Sequence, residues 1–180
     1  YQRATNATVD ALVWADVNSL DSRSPLSPAI ELIGDARSSS EVFEPLFPLT
    51  ETLSNVEFRL RVQSHIATQY AYRMNYELAV EIIEKHLPEI ASLAEDEAKA
   101  FALMGSLQAI NALRSMPFSQ KSNFPELLED ILTIGVEIEE SDPRREVITG
   151  VARSYFHLRR KKRAAEICQQ YPCGNYRTHY

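Results

Sequence analysis

Apolar residues recur every three or four positions over residues 59–90, and this spacing predicts two amphipathic helices separated by a polar turn at 73–75. The buried stripe of the first helix is predicted to contain Val62, Ile66, Ala67 and Tyr70. The buried stripe of the second is predicted to contain Leu78, Ala79, Ile82, Ile83 and Leu87. Each stripe needs an apolar partner and the other helix is nearest, so we predict a helical hairpin.

The same spacing predicts further helices on both sides of this hairpin. On the N-terminal side we expect helices over residues 8–20 and 28–36, then two short turns over 40–53, because Pro45 and Pro48 interrupt the helical pattern there. The predicted helices on the C-terminal side span residues 94–116, 124–140, 143–160 and 164–170.

These elements predict a single all-α domain over residues 1–180. Within it we expect an irregular helical part at 1–55, helical hairpins at 56–170 and a tail at 171–180. The composition agrees with this prediction. A chain of 180 residues, 44% apolar and 24% charged, fits one soluble globular domain, and a content of only five glycines favours helix over sheet.

The net charge of −6 argues against generic nucleic-acid binding. No apolar run approaches the roughly 18 residues of a membrane span, and no signal segment opens the chain. These features favour the cytoplasm. Export is the alternative, because a mature exported protein also lacks a signal.

Two cysteines lie five positions apart near the C-terminus. We predict that Cys168 fills a core position of the last helix and that Cys173 is a thiol of the tail. A small local disulfide is the alternative if the protein is exported. Without further cysteines or histidines at ligand spacing, the pair does not predict a zinc site.

Two segments of the chain share the same internal spacing of small and aromatic residues. In the first hairpin these residues are Ala67, Tyr70 and Ala79. In the C-terminal pair of helices they are Ala152, Tyr155 and Ala164. This pattern resembles the tetratricopeptide repeat, which has a small residue and an aromatic on its first helix and an alanine near the start of its second. The resemblance implies antiparallel hairpins stacked as a short right-handed solenoid, and an irregular helical bundle is the alternative.

The resemblance covers two hairpins, about a third of the chain, and each departs from the family pattern. Gln63 and Ile148 stand where the first helix has a tryptophan or leucine, and His86 replaces the later alanine of the second helix. The intervening residues 94–140 lack the signature. The repeats are therefore predicted to be irregular.

No motif in the chain supports catalysis. The four histidines, His65, His86, His157 and His179, are spread out and form no metal-binding pair. The chain contains no HExxH motif, glycine-rich phosphate loop or GxSxG elbow. We therefore predict no enzymatic activity, no catalytic residues, no metal and no cofactor.

A cluster of basic residues lies within the C-terminal hairpin, partly in a turn predicted at 159–163. Its members are Arg144, Arg145, Arg153, Arg159, Arg160, Lys161, Lys162 and Arg163. Such a cluster suits phosphates or an acidic partner peptide. The alternative is that it balances the acidic middle of the chain, within the molecule or in self-association.

If the repeat resemblance holds, the first helix of each hairpin lines a concave face, and side chains beside the core stripe contact a bound segment. The residues predicted to bind a partner in this way are Arg61, Ser64, Thr68, Tyr72, Thr149, Arg153 and His157. The sequence thus predicts a non-enzymatic scaffold that binds another protein or peptide in a helical groove.

Two other functions are alternatives to this prediction. One is a helical enzyme or small-molecule binder that uses His65, Tyr70 or His157 in a cavity between hairpins. The other is nucleic-acid binding through the basic C-terminal hairpin, which the acidic total charge disfavours. Self-association is a further partner hypothesis, because a short last helix leaves the apolar end of a solenoid uncovered.

Overall fold

The computed structural model describes residues 46–113 and 123–175, and every regular element in these ranges is an α-helix, which confirms the all-α prediction for this part of the chain. The helices are α1 (Leu46–Thr50), α2 (Val56–Tyr72), α3 (Tyr76–Ala91), α4 (Asp96–Ala112), α5 (Phe124–Val136), α6 (Ser141–His157) and α7 (Lys161–Gln170). The helices predicted at 8–20 and 28–36 lie outside the described residues. No helix within the described ranges is long and apolar enough to cross a membrane.

Helices α2, α4 and α6 follow one another across the molecule, because α2 packs on α4 and α4 packs on α6. Each also contacts the helix that follows it in the chain, so α3, α5 and α7 pack beside this row. The central hairpin predicted over 59–90 corresponds to α2 and α3. Asn55 caps its first helix, since its side-chain oxygen accepts the N–H of Phe58 at 3.0 Å.

The core stripe of α2 is buried as predicted, with Val62, Ile66 and Ala67 fully buried. On α3 the prediction for Leu78 is wrong, because this side chain is 36% exposed. The buried stripe of α3 is centred on Ala79, and one residue turns a helix by about 100°. Leu78 therefore points away from the core.

Gln63 shows why one hairpin departs from the repeat pattern. Its side chain is buried, and its amide nitrogen donates to the hydroxyl of Thr50 at 2.8 Å. The Thr50 hydroxyl in turn donates to the carbonyl of Phe47 at 2.7 Å. A polar residue at this position thus joins α1 to α2, where a tryptophan or leucine would leave the Thr50 hydroxyl without its donor.

The turn between α2 and α3 is a Schellman motif. The N–H of Asn75 donates to the carbonyl of Tyr70 at 2.9 Å, and Met74 has a positive φ of 63°. A left-handed backbone costs a residue with a Cβ roughly 1–2 kcal/mol. The turn therefore carries strain that a glycine would not.

The turn between α6 and α7 repeats this geometry. Arg159 has the same φ of 63°, and the N–H of Arg160 donates to the carbonyl of Tyr155 at 2.9 Å. The reversal is complete within these few residues, so α7 begins at Lys161. The prediction of a basic turn extending to 163 is therefore wrong for its last three residues, which form the first turn of α7.

Replacing Met74 with glycine is expected to raise the free energy of unfolding by about 0.5–1 kcal/mol, because the relief of left-handed strain exceeds the extra entropy of glycine in the unfolded chain. Little packing is lost, since Met74 is 64% exposed. Urea denaturation measures the change. Met74→Ala is the matched control, because alanine keeps the Cβ. An alanine variant as stable as the glycine variant would contradict the explanation.

The structure corrects the prediction for the two cysteines, because Cys168 and Cys173 form a disulfide. Helix α7 ends at Gln170, and Tyr171 has an extended backbone with φ −129° and ψ 149°. The chain turns back at this point, which brings the two Cα atoms to 5.2 Å, within the range that a disulfide spans.

Candidate functional site

Two adjoining hollows open along α2, α4 and α6. The first has a volume of about 710 Å³ and the second about 1040 Å³. The residues that line both are Arg61, Phe101, Met104, Gly150 and Arg153. We call the combined surface the groove. Its size suits a segment of polypeptide with several side chains.

Two glycines lie where the helices of the groove cross, one on α4 and one on α6. A Cβ added at Gly105 would lie 2.7 Å from the Cβ of Ser64, and one added at Gly150 would lie 2.8 Å from Cδ1 of Leu107. Because real Cβ atoms do not approach so closely, Gly105 allows α4 to pack tightly on α2, whereas the close contact at Gly150 is with the end of a flexible side chain of α4. Both line the first hollow.

The wall between the two hollows is a stacked pair formed by Arg61 and Phe101. The guanidinium carbon of Arg61 lies 4.3 Å from the centre of the Phe101 ring, which is 46% exposed. Burial lowers the pKa of Arg61, and Glu57 opposes that shift. The pair presents an apolar ring and a cation side by side. Such a surface can take an apolar side chain next to a carboxylate.

The first hollow differs in charge from the chain as a whole, which has a net charge of −6. Among the described residues that line it, the ionisable groups besides Tyr72 are Arg61, His65 and Arg153, and none is a carboxylate. Burial, followed by the charge of Arg61, lowers the pKa of His65, so its imidazole is neutral at pH 7. The two arginines therefore supply the positive charge of this hollow.

The second hollow has a mixed charge. Its lining includes the carboxylate residues Glu57, Glu97, Glu140, Asp142 and Glu146. It also includes Arg145 besides the two shared arginines. The groove is thus cationic at the end formed by the first hollow and acidic along the other. A bound segment with an uneven charge would have a preferred direction in it.

The structure places most of the predicted partner-binding residues at the groove. Arg61, Ser64, Tyr72 and Arg153 line the first hollow, while Thr149 lines the second. Ser64 is buried, and its hydroxyl has no hydrogen-bond partner among the described residues. Tyr72 is 62% exposed at the end of α2.

The other two residues of the predicted set, Thr68 and His157, lie outside the lining of both hollows. Thr68 is only 3% exposed, and its hydroxyl donates to the carbonyl of Ser64 at 2.9 Å within α2. His157 lies at the end of α6, outside the lining of both hollows, with its ring 6.3 Å from that of Phe156. Thr68 thus lies on the core side of α2, and His157 lies beyond the part of α6 that lines the groove.

Sequence reasoning missed the contribution of α4 to the groove. Phe101, Met104 and Gln108 on this helix line the first hollow. Helix α4 lies between the two hairpins that resemble the repeat and lacks the signature, so no residue of it was assigned to the site.

A segment of the chain itself lies against the groove. Residues 171–175, which we call the C-terminal strap, follow α7. The N–H of Gly174 donates to the hydroxyl oxygen of Thr149 at 2.8 Å, and Arg153 donates to the carbonyl of Asn175 at 3.5 Å. Gly174 and Asn175 line the second hollow. Two of the predicted partner-binding residues therefore contact main-chain atoms.

The basic cluster of the C-terminal hairpin is partly paired within the molecule. Arg163 forms two hydrogen bonds with Glu129, at 2.8 and 2.6 Å, and the hydroxyl of Tyr155 lies 2.7 Å from the same carboxylate. The Arg163 guanidinium holds the pKa of Glu129 below its usual range, and burial raises the pKa of Tyr155. Glu129 is half-buried in this network.

Other members of the cluster also meet carboxylates. Arg145 lies 3.1 Å from Asp142, and Lys162 lies 3.8 Å from Glu166. These pairs are exposed, so each contributes little to stability. They do reduce the positive potential that the basic sequence predicted on this side of the molecule.

Neither metal ligands nor comparisons with other proteins identify a further site. Within residues 46–113 and 123–175, no group of three or more His, Cys, Asp and Glu residues is placed to hold a metal ion. No protein-family model, curated protein or solved structure matches the chain. The geometry of the groove is therefore the basis for assigning a function.

Proposed function

We propose that the chain is a non-enzymatic scaffold that binds a segment of a partner protein in the groove along α2, α4 and α6. The observation that carries the proposal is the first hollow, in which the exposed ring of Phe101 lies with two arginines and, among the described residues that line it, no carboxylate, although the chain is acidic. The apolar surface supplies affinity, and the arginines favour a segment with an acidic residue beside its apolar anchor.

The C-terminal strap supports this proposal. Thr149 and Arg153 already hydrogen-bond to the main chain of a polypeptide segment, although that segment belongs to the same molecule. Main-chain contacts of this kind are independent of side-chain identity, so they suit segments of different sequence. Specificity would then come from the first hollow.

The tetratricopeptide-like solenoid belongs to the same proposal. Two features support it: the row formed by α2, α4 and α6, and the Schellman turn shared by the two hairpins that carry the alanine and tyrosine pattern. In such an architecture the first helices of successive hairpins line one concave surface. We propose that the groove is this concave surface.

Reversing the charge of both groove arginines, Arg61→Glu with Arg153→Glu, is expected to reduce capture of the partner at least tenfold. A carboxylate in place of each arginine repels an acidic segment, and a tenfold change requires only about 1.4 kcal/mol. The measurement is affinity capture from an extract of the source organism with immobilised wild-type and variant chains. Circular dichroism checks that both contain the same helix.

The matched control is Lys161→Glu with Lys162→Glu. It changes the net charge by the same amount, but both lysines lie at the start of α7, outside the groove. A partner retained by this control and lost by the groove variant supports the proposal. A partner held equally by both variants removes the groove as its binding site. The captured segment is then titrated as a synthetic peptide.

A further inference from the structure

The strap contacts α6 through one acceptor and one donor that lie a single helical turn apart. Thr149 and Arg153 are four residues apart, which places their side chains about 5–6 Å from each other on one face of the helix. The Thr149 hydroxyl oxygen accepts the N–H of Gly174, and the Arg153 guanidinium donates to the carbonyl of Asn175, the next residue of the strap. This spacing matches the main chain of a segment outside helical geometry, with its amide and carbonyl groups available.

The Thr149 hydroxyl is prepared for an N–H donor. It donates its own proton to the carbonyl of Arg145 at 2.6 Å, so its oxygen acts toward the strap as an acceptor. Arg153 has donors only. This pair therefore selects a main-chain N–H followed by a carbonyl, whichever polypeptide supplies them.

The disulfide determines where the strap lies. Cys173 is bonded to Cys168 on α7, and Gly174 is the next residue, so the bond keeps the Gly174 amide close to Thr149. Beyond this bond, Gly174 and Asn175 are exposed, whereas Tyr171 and Cys173 pack against the core, so the exposed end of the strap is the part that the bond restrains. A segment held in this way opens locally once its covalent restraint is removed.

We propose that the end of the strap, Gly174 and Asn175, occupies main-chain contacts of the groove and is held there by the Cys168–Cys173 disulfide, and that reduction of this bond releases it so that a non-helical segment of the partner protein binds Thr149 and Arg153 in its place. This inference rests on the proposed function of the groove. It adds the main-chain groups through which the segment binds and a means of regulating access to the groove.

The chemical step is thiol–disulfide exchange with a dithiol reductant. One thiolate of the dithiol attacks a sulfur of the disulfide, and its second thiol then displaces the protein sulfur from the mixed disulfide. Two electrons and two protons pass to the protein, which gains the thiols of Cys168 and Cys173. The dithiol becomes a disulfide.

The first test measures the Gly174 amide in the full chain by NMR hydrogen exchange, with and without dithiothreitol. We expect exchange at Gly174 to become at least tenfold faster on reduction, while the amides of α2 and α4 are unchanged. The Cys168→Ser, Cys173→Ser variant should behave like the reduced chain without any reductant. Equal protection of Gly174 in all three samples overturns the proposal.

The second test uses a labelled synthetic peptide that copies residues 171–180, with serine at position 173, as the probe. We expect the reduced chain and the double serine variant to bind it at least tenfold more tightly than the oxidised chain, with shifts at Thr149 and Gly150. Adding Thr149→Val to the double serine variant removes the acceptor and should weaken binding at least tenfold.

Probe binding that is equal in the oxidised and reduced chains overturns the proposal, as does failure of the probe to bind any form. Neither measurement requires the natural partner. If the probe behaves as expected but no protein is lost by the groove variant in affinity capture, the proposed function fails while the strap is retained. If the groove variant loses a captured protein but the probe does not behave as expected, the groove remains a binding site that the disulfide does not regulate.

Discussion

Lowering the pH from 7 to 4 is expected to reduce the free energy of unfolding by about 3 kcal/mol through His86 alone. This side chain is 1% exposed, and its Nε2 has no hydrogen-bond partner among the described residues. Burial lowers the pKa of His86 to about 4. The charge of Glu89 raises this pKa and the charge of Lys85 lowers it, and both effects are smaller than that of burial. An unfolded histidine has a pKa of about 6.5.

The sign follows from proton uptake. Between about pH 6.5 and pH 4 the unfolded chain binds a proton at His86 that the folded chain does not, so each unit of falling pH costs about 1.4 kcal/mol. The stability contributed by the neutral imidazole is therefore full at pH 7 and is lost progressively across this window. Below about pH 4 both states are protonated, and the loss levels off.

The matched control is His86→Leu, which keeps a side chain of similar size and removes the titrating group. Urea denaturation of both proteins at half-unit intervals from pH 7 to pH 4 gives the two stability curves. Effects of His65 and of the carboxylates occur in both proteins and cancel in the difference. We expect the variant to lose about 3 kcal/mol less than the wild type. Parallel curves would show that His86 titrates normally.

The helices of the described residues follow from sequence because periodicity reports which face is buried. The stripe of Val62, Ile66 and Ala67 is an example. Periodicity is less able to choose between neighbouring positions on one helix. It assigned Leu78 to the buried stripe of α3, whereas the structure places His86 there and exposes Leu78. The polar residue lies in the core because its helical position, not its polarity, determines its direction.

The candidate site was only partly accessible to sequence reasoning. Arg61 and Arg153 were predicted from a rule about the first helix of each hairpin, and the structure places both at the groove. Assigning Phe101 to the groove required the knowledge that α4 lies between α2 and α6. The contact between the strap and the groove was harder to predict, because Gly174 and Thr149 are 25 residues apart. Their contact depends on a turn after α7 and on a disulfide. The spacing of the two cysteines fits free thiols equally well.

The second large effect is expected at Gly105, the glycine of α4 that faces α2. Gly105→Ala should lower the free energy of unfolding by about 1–2 kcal/mol, although alanine favours helix by about 1 kcal/mol over glycine. The added methyl would lie 2.7 Å from the Cβ of Ser64, an atom fixed to the backbone of α2. The helices must therefore move apart, and overpacking of this kind costs typically 1–3 kcal/mol.

Gly150→Ala is the matched control, because it adds the same methyl to the neighbouring helix crossing in the same groove. Its nearest neighbours are Cδ1 of Leu107 at 2.8 Å and the sulfur of Met104 at 3.2 Å, both toward the ends of flexible side chains. These atoms can rotate away at little cost. We expect the gain in helix propensity to leave this variant as stable as the wild type or up to about 1 kcal/mol more stable. If urea denaturation shows that both alanines lower the free energy of unfolding equally, the two helix crossings tolerate an added methyl equally well. The close approach of α2 and α4 then does not depend on Gly105 in particular.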